Sequence, residues 1–166
     1  GTSTLDMQGR YAALQSVALA AASGRLDIGL AGAYPALTEL SAKTMSGSIQ
    51  LTLDATCDSL EKLQIGSLSG VIDLDLARSD WQHDLEIELR CVSGMIKVSL
   101  PEDIGVAAKV KKLSCAVNAP GFRQERGLYV NAAYGQSEVT LYLDIATVSG
   151  SIKVLQLDKE EARNKG

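Results

Sequence analysis

Histidine is almost missing from this chain. The 166 residues hold one, His83, so a multi-histidine metal centre is excluded and a serine–histidine relay has a single place to rest. His83 sits in "SDWQHD", which reads as a polar turn between strands. The three cysteines, Cys57, Cys91 and Cys115, show no CxxC spacing, and an odd count closes no disulfide framework. Free cysteines of this kind behave mostly as small buried hydrophobes, which suits a reducing compartment or a weakly oxidising envelope. No apolar run approaches the roughly 18 residues of a membrane span. The most apolar stretch, "YAALQSVALAAASG", is interrupted and lacks the basic flank of a signal peptide, so any leader or anchor is expected outside these residues. A surplus of charge is missing too. The formal net charge is −4 and dispersed, which argues against a nucleic-acid partner and gives no case for an anionic membrane surface. The densest basic cluster, Lys109, Lys111 and Lys112, reads as a strand with two of the three on its solvent side.

What the chain does contain is a repeat. Hydrophobic residues at 46% and charged residues at 22% describe an ordinary globular protein, long enough for one domain with its own core. Within it Ser-Gly recurs at 23–24, 46–47, 69–70, 93–94 and 149–150, with Ser114-Cys115 standing in the same frame. Two residues after the glycine come Leu26, Ile49, Ile72, Ile96, Val117 and Ile152. Four after it come Ile28, Leu51, Leu74, Val98, Ala119 and Val154. Between these columns lie Asp27, Gln50, Asp73, Lys97, Asn118 and Lys153, all polar. Such alternation marks a strand with one buried and one wet face. The segments before the corner alternate as well, at Leu40/Ala42, Leu63/Ile65, Ile87/Leu89 and Ala108/Val110.

Each unit of about 23 residues is therefore predicted as strand, tight Ser-Gly corner, strand and looser connection. One unit cannot bury its own apolar face, whereas stacked units can, with aliphatic side chains of successive rungs forming continuous internal columns. The predicted fold is an all-β, single-domain β-solenoid, with a β-sandwich as the alternative. Handedness and cross-section do not follow from the pattern. Residues 1–13 are read as an N-terminal cap, 14–157 as the repeat domain and 158–166 as a fraying charged tail. The repeated serine is a turn former, since no G-x-S-x-G pattern surrounds it.

In its second half the chain resembles a known family. "SGMIKVSLPEDIGVAAKV", "LSCAVNAPGF", "GLYVNAAYG" and "SEVTLYLDIATVSGSIKVLQL" are similar to the toast-rack domains of bacterial proteins, with their LP-x-D-x-GV, V-x-APG and YVN-x-AYG signatures in the same order. The likeness covers residues 84–157 well. Residues 14–83 share only the Ser-Gly strand pairs of adhesin-like solenoids. Ser-Gly corners stand where many relatives carry Gly-x-Gly, and Cys115 stands where glycine is usual. The resemblance implies a non-enzymatic module of the bacterial cell envelope, membrane-associated in the full-length protein, with no cofactor and no catalytic residues. One branch forms the C-terminal domain of LiaF-type regulators, which sense damage by cell-wall antibiotics. Others belong to anchored or secreted proteins whose role is unknown or guessed to be adhesion.

Three functions compete. The first is a structural or stress-sensing scaffold that docks onto a protein partner, or onto itself through the solenoid ends. The second is an adhesin or glycan-binding module, for which Phe122, Tyr129, Tyr134 and Tyr142 gather in the divergent region with Arg123 and Arg126; the same rings would equally serve to cap the core. The third is a polysaccharide-cleaving enzyme using Asp73 and Asp75, whose Cα atoms lie roughly 6.6 Å apart along one strand face. Calcium finds no clustered oxygens, and no obligatory metal is expected.

Overall fold

The computed structural model describes residues 1–79 and 81–158; of the expected tail, residues 159–166 lie outside the described residues. Nine strands follow in chain order: β1 (Thr2–Arg10), β2 (Ser16–Ala33), β3 (Glu39–Thr56), β4 (Lys62–Asp75), β5 (Leu85–Pro101), β6 (Gly105–Asn118), β7 (Arg123–Glu125), β8 (Leu128–Val130) and β9 (Thr140–Leu157). They form one sheet in the order β1-β2-β3-β4-β5-β9-β6-β8-β7. All the long pairings are parallel, and from β2 through β5 to β9 they are in register from glycine to glycine, Gly24 beside Gly47, Gly70, Gly94 and Gly150 in turn. The fold is an all-β solenoid. β1 pairs with the second half of β2 only, and no helix occurs among the described residues.

Each long strand is one bent rung. In β3, Leu40, Ala42 and Thr44 point inward before the corner, and Ile49, Leu51, Leu53 and Ala55 point inward after it. The inward set thus changes parity at Ser46-Gly47, and both arms face one core. Short turns close the rungs and bury Tyr34 and Leu37, then Cys57 and Leu60. The columns read from the sequence are internal: Ile49, Ile72, Ile96, Leu51, Leu74 and Val98 are all buried. Trp81, in the segment read as a polar turn, also joins the core, its indole nitrogen donating to the Leu76 carbonyl at 3.4 Å.

At the corner the chain has no room for a side chain. A β-carbon on Gly70, where φ is +130°, would lie 1.7 Å from the carbonyl oxygen of Gly47 on the rung before. The same oxygen approach repeats at Gly47, Gly94 and Gly150. Glycine is required there by contact as well as by its backbone angle.

Rung order departs from chain order once. The last clean repeat, β9, inserts between β5 and β6, so that Ile96 stacks on Ile152 and Ile152 on Val117. Successive rungs therefore do not stack throughout, as the repeat alone predicts. The difference has a cause in the residues. β9 carries Leu141, Leu143, Ile145, Ile152 and Val154 and gains from neighbours on both sides. β6 carries the smaller Ala108 and Val110, and Cys115 in the glycine's place without a positive φ. A rung with an altered corner is tolerated where no regular rung must stack upon it. Beyond it the β7–β8 hairpin covers only Ala107 and Ala108. Asn131, fully buried, completes this end: its Oδ1 accepts from the Val106 amide at 2.9 Å and its Nδ2 donates to the Ile104 carbonyl at 2.8 Å.

Candidate functional site

The corners organise a surface as well as a core. Three residues before the glycine, a hydroxyl folds inward and donates to the carbonyl of the corner serine: Thr44 to Ser46 and Ser67 to Ser69 at 3.1 Å, and Thr147 to Ser149 at 3.2 Å. Cys91 holds the equivalent place and is buried. Because this residue points in, the next must point out. In the order of the rungs that outward column reads Ala22, Met45, Leu68, Val92, Val148 and Leu113. Each member is apolar. Met45 is 61% exposed, Leu68 53%, Val92 and Val148 45% each and Leu113 84%. With rungs about 4.8 Å apart, the column runs roughly 24 Å along the solenoid axis. Scattered surface aliphatics are ordinary; an unbroken file of them is not.

Two residues further upstream on the same outer face lies a second column, Ala20, Lys43, Gly66, Arg90, Ala146 and Lys111, in direct register across neighbouring strands. Small residues alternate with cations. The small ones leave depressions, and the two columns enclose an open groove of about 990 Å³ that crosses β2, β3, β4, β5, β9 and β6. Its charged lining is entirely basic: Lys43, Arg90, Lys111 and Lys112. Arg90 is engaged from within, 2.5 Å from Glu88 and 3.8 Å from Asp144. Hydrogen bonding from Arg90, and then from Gln64, holds the Glu88 carboxyl below the usual carboxylate range, while Glu88 raises the Arg90 guanidinium in turn. Lys112 donates to the Cys115 carbonyl at 3.3 Å. Lys43 and Lys111 make no ion pair among the described residues. Lys109, Lys111 and Lys112 are all exposed, Lys112 because its column loses its inward direction on the end rung.

The residues proposed for a glycan surface separate into two groups. Phe122 and Tyr129 are partly buried against the core, and Tyr134 is half-buried in the turn after Asn131. Arg123 is exposed and 3.3 Å from Glu125; Arg126 is exposed in the β7–β8 turn with φ of 53°. Tyr142 lines a cleft of about 330 Å³, beside Leu128, Glu86, Asp144 and Lys109. Asp75 shapes a turn: its Oδ1 accepts from the Ala77 amide at 3.1 Å and its Oδ2 lies 3.8 Å from the Arg78 guanidinium. Asp73 lies between Gln50 and Lys97 of the neighbouring rungs. No group of three or more metal-ligating side chains gathers among the described residues.

The groove was available in the sequence and is missed by reading only the inward columns. Setting the repeats on the glycine and reading two places upstream exposes Ala, Met, Leu, Val, Leu and Val at an outward position.

No protein-family model matches the chain, and no curated protein matches it significantly. Among solved structures it is similar to the crystal structure of a "putative cell adhesion protein" from Clostridium sporogenes, with 28% identity and a TM-score of 0.59. That likeness covers 72% of this chain and 56% of the clostridial one, so the chain spans a little over half of that protein's length. Over the matched part, this chain is similar in its β fold to the clostridial protein.

Proposed function

We propose that the chain is a non-catalytic docking module of the bacterial cell envelope, which holds a second protein along its corner groove. The observation that carries this reading is the unbroken apolar file of Met45, Leu68, Val92, Val148 and Leu113, left in water by a fold that buries its other aliphatic columns. Exposed apolar area on this scale marks interaction surfaces. The clostridial protein's name, cell adhesion, and the toast-rack resemblance with its envelope stress-sensing branch both point to functions exercised by contact. A photo-reactive residue placed at Leu68 in the native host should form an adduct with another polypeptide, and one placed at Asp73 should not. Adducts at neither position, or at both equally, would refute docking through this face.

A second reading, glycan binding, is favoured by one feature: Tyr142 is 44% exposed in its cleft with carboxylates and two lysines around it. If that cleft takes a sugar, Tyr142→Ala should abolish glycan-array signal without lowering stability. An array on which the natural protein and this variant give the same signals removes the cleft from consideration.

A further inference from the structure

Resting on the docking reading, we propose that the occupant is an acidic, amphipathic α-helix of about four turns, laid along the solenoid axis. Charge supplies the first argument. The groove has four basic side chains and no carboxylate, in a chain of net charge −4. A second copy docked by the same face would set lysines against lysines along this groove.

Spacing supplies the second. Cations recur on alternate rungs, at Lys43, Arg90 and Lys111, hence roughly 9.6 Å apart at about 4.8 Å per rung. Two turns of helix rise about 10.5 Å over seven residues, and a file of apolar side chains on one helix face recurs about every 5.4 Å. The unpaired lysines, Lys43 and Lys111, are four rungs or about 19 Å apart. Acidic residues fourteen positions apart on a helix lie about 21 Å apart, within the reach of two flexible lysines. A single-headed lipid offers one anionic group, not several distributed along its length. An extended strand finds no free edge in the middle of the groove, because β3, β4, β5 and β9 are paired on both sides there. A helix needs no edge, only side-chain contacts of the helix-in-groove kind.

The test uses the intact chain and two labelled 18-residue helical peptides, each with an Ala/Leu face. One carries glutamates fourteen residues apart beside that face, the other lysines at the same places. Fluorescence anisotropy should show the acidic peptide binding, with affinity falling at least tenfold in 0.5 M salt. Leu68→Asp should lose tenfold or more. The double variant Lys43→Glu, Lys111→Glu should lose the acidic peptide and gain the basic one; all three positions are exposed, and circular dichroism verifies the fold. Equal binding of both peptides overturns the inference, as does an unchanged preference in the double variant. Dodecanoate vesicles binding in a Leu68-dependent manner while neither peptide binds also overturn it. If the peptides fail but the adduct at Leu68 forms, only the helical occupant falls; if both fail, docking falls with it.

Discussion

Gly70 shows how much one atom decides at the scale of the residue. A methyl group there meets a carbonyl oxygen of the preceding rung, and that rung cannot retreat without breaking its own register. Gly70→Ala should therefore cost about 3–5 kcal/mol, the range of severe steric and backbone changes. Gly127 also has positive φ, at +81°, but nothing lies within 4 Å of its missing β-carbon. Gly127→Ala should cost only about 1–2 kcal/mol, from the backbone angle alone. Urea unfolding of the two variants measures the difference, and equal losses would mean that φ, not the stacked oxygen, selects glycine at the corners. A thiol makes the second case at this scale. Burial, reinforced by Asp58, pushes Cys57 from 9.0 up to about 11. The folded state thus binds the thiol proton more tightly than the unfolded state does. Its contribution is complete below the ordinary thiol value and declines as pH rises from about 8.5 toward 11, by on the order of 2–3 kcal/mol. Cys57→Ser should flatten that alkaline decline. Cys91 is likewise raised by burial, whereas Cys115 is half-exposed. A thiol reagent at pH 8 should accordingly modify Cys115 quickly and the other two only on unfolding.

Between residues and the whole lie the rungs, and here the sequence was legible in one direction and silent in the other. Along each strand the alternation at Ile49, Leu51 and Leu53 announces its buried face, because a period of two survives any environment that wets one side. Across strands the same repetition hides the order, since equivalent rungs fit beside one another almost equally well. Small differences settle it: Cys115 for glycine, Lys112 for the inward hydroxyl, Ala108 for a larger aliphatic. The end cap was illegible for a different reason. Asn131 works by imitating the backbone of a missing strand, and nothing in a run of "YVNAAYG" distinguishes that asparagine from one in a surface turn. Asn131→Leu should cost about 2–4 kcal/mol, because it leaves the buried Val106 amide and Ile104 carbonyl without that partner. Thr147→Val removes one hydroxyl bond to a serine carbonyl on the corner and should cost about 1 kcal/mol. Thermal unfolding ranks the pair; a larger loss at Thr147 would place the weak point at the corners instead of the end.

For the molecule as a whole, the decisive property is that one strand presents two aliphatic faces with opposite fates. Leu68 and Ile72 are four residues apart on β4, on either side of Gly70, and both look equally hydrophobic in the sequence. Ile72 is fully buried among the stacked columns, and Leu68 is 53% exposed in the groove. An aspartate at 72 would have to give up hydration with no cation placed to receive it, beyond losing the roughly 1.5–3 kcal/mol of the buried side chain. Ile72→Asp should prevent folding or lower stability by more than 4 kcal/mol. Leu68→Asp replaces a wetted aliphatic by a carboxylate in a basic groove and should change stability by no more than about 0.5 kcal/mol. Paired urea titrations decide between a core that ends at the corner and one that continues through it. Were Leu68→Asp as damaging as Ile72→Asp, the apolar file would be part of the structural core and unavailable to any partner. If instead the Leu68 variant folds normally and only its partner contacts are lost, the surplus hydrophobicity along the corners is there for association. Stability alone would not have required it.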